Sequence, residues 1–471
     1  MIRSPRLCGR NISFGTRGDR MRNKVSIKPH SRKILLMLKS TAVLVSASLI
    51  FTQASAQNQP APTPLPDPEI EVVHWWYKGG DANALEMIVN EFILRGGHWD
   101  NAPEPSFADT RESVVSRMAK GYPPTAIQWN AGVESRQFAE LGLLNPVTST
   151  DAADKLLRTY HPAVLEEITI DGKLYAIPVN LHRENWMWVA NNIFESNDEI
   201  DIPTTWLDII ATGEYLREQE QFLIALGSEI WQRRILFNDV LLGVMGRQAF
   251  RRFYQLKDPT ILDTDGFRTV VKIYRQLQPY THSFGNGSWH AQVEAIANEE
   301  AALLFMGDWA SGEFRNQQSV LGVDFECRPA PGNEDHLLPV IDVFLLGRLT
   351  ERADILGQHL LIDTLVDRDT ISAFNELKGS VPPFNSFDQQ NFDVCRQQVA
   401  DLLLNDDSVV TPFASAGDGE FTAKIETAIV NLWKEIHTTE ESLIDPFRHA
   451  FEGKQSRTEP RVEEQHATGI E

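Results

Sequence analysis

The sequence predicts an α/β protein of two lobes, on three observations. A β-branched, aromatic run, Ile70 to Trp76, breaks at Lys78-Gly79-Gly80-Asp81 into a helical stretch, the strand–turn–helix unit from which wound sheets are built. Apolar runs recur far along the chain at Ala301–Met306 and Pro339–Leu346, as strands covered on both faces require. A length of 471 residues exceeds what one hydrophobic core organises.

In chain order, the proline-rich segment Gln57–Pro68 forms neither helix nor central strand, so order begins at Glu69. The first helix is expected from about Asn83 to Leu94. Ser113–Lys120 reads as helix, Thr125–Gln128 as a short buried strand and Gln137–Gly142 as helix again. Asp171-Gly172 marks a hairpin turn, and Leu174–Val179 is a second extended run. Helices are expected to dominate Thr205–Leu277, with Asp265 capping the stretch Phe267–Leu277. The last 120 residues are mostly helical, and the polar tail after Lys454 is expected to be disordered. No repeat of fixed period occurs, which disfavours solenoids and propellers.

Charge is unevenly spread. Residues 1–56 hold eleven basic side chains and one acid, Asp19, whereas residues 57–471 carry 33 basic and 64 acidic groups, a net of −31. Such a body repels phosphate backbones and argues against a nucleic-acid partner. Arg32, Lys33 and Lys39 precede an apolar run, Thr41–Phe51, which ends at the small residues Ala54-Ser55-Ala56. This is the pattern of a secretory leader cleaved after Ala56, with a run too short for a membrane span. Cleavage leaves Cys327 and Cys395, which an oxidising compartment allows to pair or to remain as two thiols.

Catalytic and metal signatures are absent from the sequence: it contains no His-Glu-x-x-His, no Gly-x-Ser-x-Gly, no P-loop and no Gly-x-Gly-x-x-Gly. Asp263-Thr264-Asp265-Gly266 fails as a calcium loop, because the first ligand would be Ile261 and the bidentate one Lys272. His182, His282 and His290 are too scattered for zinc and read as hydrogen-bonding or surface histidines. No cofactor or metal is expected. Aromatic and polar residues gather instead at the ends of the expected strands: Trp75-Trp76, His182-Arg183-Glu184-Asn185, Trp231-Gln232, Asp308-Trp309, and Asp342 inside an apolar run. In open α/β sheets ligands bind outside the carboxyl ends of the strands. Flat rings for C–H faces and carboxylates or amides for hydroxyls suit a sugar. Trp188 and Trp206 are assigned to the core, and Trp75 and Trp76 should point to opposite sides of their strand.

The runs VVHWWYKGGD (72–81), RMAKGYPPTAIQW (117–129), YAIPVNLHRENWMW (175–188), FMGDWASGEF (305–314) and LKGSVPP (377–383) resemble the sugar-binding branch of the bacterial extracellular solute-binding proteins. More narrowly they resemble the periplasmic glucose- and mannose-binding components of ABC importers. The resemblance spans nearly all of residues 70–450. It implies the two-lobed periplasmic-binding-protein fold, like that of maltose-binding protein, with a hinge of crossing strands near Pro178, Leu345 and Asp388. The implied divisions are a signal peptide (1–56), a linker (57–68), an N-terminal lobe (69–178 plus 345–388), a C-terminal lobe (179–344 plus 389–454) and a tail (455–471). Carried over position by position, it implies sugar contacts from Trp75, Trp76, Asp81, Gln128, His182, Arg183, Asn185, Trp231, Gln232, Asp308, Trp309, Asp342 and Lys378.

Two departures bear on the sugar. Tyr77-Lys78 stand where small residues are usual, and Phe413–Gly417 lacks the histidine common in glucose binders. The expectation is a monomeric periplasmic receptor, not an enzyme, that passes a mono- or small oligosaccharide to an inner-membrane permease with its cytoplasmic ATPase. The competing readings are a glycan-acting enzyme using Asp308 and Asp342 as acid and base, and a receptor feeding a sensor or chemotaxis system.

Overall fold

The computed structural model describes residues 66–148, 150–417, 419–434 and 439–452. The leader and its cleavage site, most of the proline-rich segment and the polar tail lie outside them. In chain order the strands are β1 (Glu69–His74), β2 (His98–Pro103), β3 (Ala126–Asn130), β4 (Thr169–Ile170), β5 (Lys173–Leu174), β6 (Ala176–Pro178), β7 (His182–Arg183), β8 (Trp186–Ala190), β9 (Phe222–Ala225), β10 (Thr281–His282), β11 (Ala301–Phe305), β12 (Phe325–Pro329), β13 (Pro339–Val340) and β14 (Asp342–Leu346).

Two five-stranded sheets organise them, in the orders β2-β1-β3-β14-β6 and β10-β9-β11-β8-β12. Both have the same plan. Three parallel strands are followed by one that runs against them, β14 beside β3 in the first sheet and β8 beside β11 in the second. The strands β8, β11 and β14 are buried at every position, which is why β8 and β11 read as unbroken apolar runs and β14 as a run broken only by Asp342. Each fully buried Leu, Ile, Val or Phe of these strands contributes about 1.5–3 kcal/mol relative to exposure.

Several local expectations are corrected. The helix after β1 begins at Gly79, four residues before the expected start, so the glycine pair is its first turn; Gly79 takes φ +62. A Cβ on Gly80 would lie 2.4 Å from the Gly312 carbonyl carbon, so only glycine lets the Gly79–Leu94 and Trp309–Asn316 helices approach this closely. Helices dominate Thr205–Leu277 as expected, interrupted by β9, four residues that period alone does not separate from helix. The cap of the helix Asp265–Leu277 is Thr264, whose hydroxyl accepts from the Phe267 amide at 3.2 Å, and not Asp265. The run Pro339–Leu346 divides at Ile341: β13 pairs with β7 and β14 with β3 and β6.

The hairpin at Asp171-Gly172 forms as expected, with both residues at positive φ between β4 and β5. Trp188 and Trp206 are buried, as expected. Cys327 on the edge strand β12 is joined by a disulfide to Cys395 in the helix Val394–Leu403, with Cα atoms 6.1 Å apart. No helix of the described residues is long and apolar enough to cross a membrane.

Candidate functional site

The site begins at the carboxyl end of β1. Trp75 and Trp76 fall on opposite sides: Trp75 packs edge-on against Phe107 and Trp129, and Trp76 is buried between Phe344 and Phe374. The Lys378 ammonium lies 5.1 Å from the Trp76 ring centroid and binds the Asp81 carboxylate. Asp81 sits in the first turn of the Gly79–Leu94 helix, where the helix dipole favours a negative charge. Lys378 ends the helix Arg368–Lys378, which Gly379 closes in the left-handed conformation.

A second cluster forms where β3, β7 and β14 meet the end of β11. His182 Nδ1 contacts Asp308, and its Nε2 lies 3.1 Å from Asp342 Oδ2. Asp342 accepts further bonds from Asn130 Nδ2 at 2.8 Å and Asn180 Nδ2 at 2.7 Å, while its own amide donates to Asn180 Oδ1. Asp308 accepts the Arg183 amide at 2.9 Å; it occupies the cap position of the Trp309–Asn316 helix, but its carboxylate makes no cap bond. Trp309 stands edge-on to His182 at 5.4 Å and to the half-buried Trp231 at 6.2 Å. Of the charged residues, Asp81, His182, Asp308, Asp342 and Lys378 are each 6% exposed or less.

Burial alone would drive the His182 imidazole toward neutrality, but the two carboxylates outweigh it and raise its pKa. Burial also pushes Asp308 upward against the pull of His182. Asp342 is equally buried, yet bonds from His182 and Asn180 and the nearby Lys378 charge hold it below the usual carboxylate range. The Lys378 charge also acts on Asp308.

Three candidates lie elsewhere. Arg183 turns away from His182 on the strand, donates to the Asn333 carbonyl at 2.7 Å and covers the Trp186 ring at 4.2 Å, with burial lowering its pKa to about 10. Asn185 holds the chain by donating to the His336 carbonyl and accepting the Leu338 amide. Gln232 braces two loops through the Gly227 amide and the Gly287 carbonyl. Gln128, on the same face of β3 as Asn130, is fully buried with neither amide atom partnered.

Sequence reasoning passed over Asn130, Asn180 and Glu313. Alternation on β3 is the signal that would have found Asn130, since residues two apart share a face. Glu313 Oε2 accepts the Gly80 amide at 2.9 Å, and Asn316 accepts from Asn83, so the helix after β1 meets the helix after β11 directly. Among the described residues no group of three or more His, Cys, Asp or Glu is disposed to hold a metal. Two surface cavities, one beside Arg247 and Arg251 and one beside Cys327 and Val394, lie away from the cluster.

Two sheets of one plan, with charged and aromatic residues enclosed where their helices meet, define a two-lobed α/β binding protein. The profile of the bacterial extracellular solute-binding proteins matches residues 102–347. A probable sugar-binding periplasmic protein of Rhizobium meliloti is 30% identical over 372 residues, 77% of this chain and 88% of that one. An ABC transporter extracellular-binding protein of Pyrococcus horikoshii is 26% identical over 404 residues, 82% of this chain and 88% of the relative. Among solved structures, a chitin oligosaccharide binding protein superposes with TM-score 0.69 at 16% identity, covering 82% of this chain and 98% of that chain. A bacterial solute receptor described as preferring β-D-galactopyranose gives 0.68 at 17%, with the same coverage. The chain belongs to the bacterial extracellular solute-binding proteins and has their two-lobed fold.

Proposed function

We propose that the protein is a periplasmic receptor that closes on a neutral mono- or small oligosaccharide and delivers it to an ATP-driven inner-membrane importer. The observation that carries this reading is the enclosed cluster in which three carboxylates, an imidazole and an ammonium stand among indole rings. Sugar hydroxyls take charge-assisted hydrogen bonds from such groups, and their C–H faces pack on indole. The names carried by the relatives, sugar-binding periplasmic protein and ABC transporter extracellular-binding protein, support the same reading.

In this reading one lobe comprises residues 69–178 with 345–388 and the other 179–344 with 389–454, and the solute is held by residues of both. Trp76, Asp81, Gln128, Trp231, Asp308, Trp309, Asp342 and Lys378 supply contacts. Export follows cleavage after Ala56, and the receptor acts as a monomer. No bond is broken; contacts from both lobes favour the closed state. An acid and base pair made of Asp308 and Asp342 is disfavoured, because both carboxylates hold nitrogens of one imidazole instead of flanking a gap for substrate and water.

The test is thermal-shift screening of the chain from Gln57 against a sugar library, followed by calorimetric titration and assay for reducing ends. A sugar at a hundred times its dissociation constant should add about 2.7 kcal/mol of stability, bind one to one and be recovered intact. A library without a stabilising sugar, or release of reducing ends, overturns the reading.

A further inference from the structure

The helix Gly79–Leu94 has no cap from its own segment. Lys78 stands at the cap position with an extended backbone and no side-chain bond to the first turn, and a cation there faces the positive end of the helix dipole. The cap comes instead from the helix Trp309–Asn316. Glu313 is 5% exposed, and its Oε2 accepts the amide of Gly80, the second helical residue, at 2.9 Å. Its Oε1 is steadied by Gln317 Nε2 at 3.2 Å and Asn316 Nδ2 at 3.4 Å. Three residues beyond Gly80, Asn83 donates to Asn316 Oδ1 at 3.0 Å.

A second contact has the same form with the roles exchanged. Glu167, in the helix Pro162–Ile168, accepts the Ser415 hydroxyl. Beside it Gly132, just after β3, comes so near Ala414 that a Cβ would overlap the Ala414 carbonyl oxygen. Ser415 belongs to Phe413–Gly417, the segment that lacks the histidine common in glucose binders.

We propose that Glu313 and Ser415 are positioning residues that clasp the receptor shut: Glu313 caps, across the cleft, a helix that has no cap of its own, and Ser415 binds Glu167. This rests on the receptor reading above and its two lobes, in which Gly80, Asn83, Gly132 and Glu167 lie in one lobe and Glu313, Asn316, Ala414 and Ser415 in the other.

Both partners of each bond are protein, so the clasp requires no atom of the solute. It therefore contributes equally to every closed complex, whatever sugar is inside. Apparent affinity scales with the closed fraction, which the clasp sets, while the ranking of sugars is left to the groups that touch them. When the lobes part, the Gly80 amide and the Glu313 carboxylate return to water, so opening strands neither of them. Glu313 also bonds the same helical turn that carries Asp81, and so steadies that carboxylate in the closed state.

The experiment has two arms, both on the chain from Gln57. In the first, the native protein, Glu313→Ala, Glu313→Gln and Ser415→Ala are titrated with glucose, mannose, galactose and xylose. Each Ala variant should weaken every sugar that binds by one common factor, about fivefold, with the ranking kept. Glu313→Gln retains an acceptor and should recover part of the loss. Arg136, 3.8 Å from the oxygen that Ser415 binds, still faces Glu167 in Ser415→Ala. A factor that differs from sugar to sugar, or native affinity in both Ala variants, overturns the proposal. The second arm needs no sugar. A short bis-maleimide cross-links Asn83→Cys to Asn316→Cys, and the rate reports how often the two helices meet. Adding Glu313→Ala should slow it by the same factor; an unchanged rate overturns the proposal. If the native protein binds no sugar, the receptor reading fails, and the cross-linking rate still decides whether Glu313 holds the two helices together.

Discussion

At the scale of single residues, the same buried charge behaves differently according to what surrounds it. The Asp342 carboxylate receives three bonds or contacts, from Asn130, Asn180 and His182, and stays ionised. Asp239, inside the Ile230–Tyr254 helix, is just as buried, yet neither of its carboxyl oxygens has a partner. Burial, reinforced by the Glu184 charge, raises its pKa well above the ordinary value, against the weaker pull of Arg183 and Arg234. A carboxyl whose folded pKa lies above its unfolded one loses stability as pH rises between the two values. Asp239→Asn should therefore be more stable than the native protein by about 1–3 kcal/mol at pH 8, with the gap closing toward pH 4. Urea midpoints measured across that range check it, and a gap independent of pH would sink it. The raised pKa of His182 gives a slope of the same sign, with its stabilisation complete below about pH 6.5 and lost above, so only the difference between variant and native isolates Asp239.

At the scale of elements, the close passage of the Gly79–Leu94 helix over the Trp309–Asn316 helix depends on two glycine backbones. Gly80→Ala would press a methyl onto the Gly312 carbonyl, and Gly419→Ala, where a Cβ meets nothing within 4 Å, is its control. The first should cost about 1–3 kcal/mol in thermal or urea unfolding, and the control should be neutral. Equal behaviour of the two would show that the contact is not tight. The sequence announced β11 because it is apolar at every position and β14 because only Asp342 breaks its apolar run, and it announced the turn after β1 because glycine pairs have few other uses. It hid β9, since four apolar residues between helices fit either period. It also offered His182, Asp308 and Asp342 only as separate candidates. Nothing local says that residues 126 and 160 positions apart share one imidazole, because that contact is made by strand order. Gln232 and Asn185 misled for a related reason: an amide beside a tryptophan looks the same in sequence whether it faces a ligand or ties a loop.

At the scale of the whole molecule, the enclosure of Asp81, His182, Asp308, Asp342 and Lys378 means that a solute reaches them only after the layers part. In the receptor reading proposed above, the conformation described here is the compact member of a pair. Small-angle scattering of the sugar-free chain from Gln57 should give a larger radius of gyration than this structure, which is near ~21 Å by the scaling for a compact chain of about 400 residues. Saturation with the best ligand should shrink it. A radius unmoved by a sugar that demonstrably binds would show that closure precedes binding.

The position of β14 has a consequence for how the chain is made. The strand lies inside the first sheet, bonded on one side to β3 and on the other to β6, yet its Asp342 is separated from Asn130 by 212 positions. While a ribosome is still short of Leu346, β3 and β6 have nothing to join them and the sheet remains in two pieces. Pairings so distant in sequence form slowly. The first sheet is thus left incomplete until late in synthesis, which in the exported receptor proposed above keeps that part of the chain open to threading across a membrane.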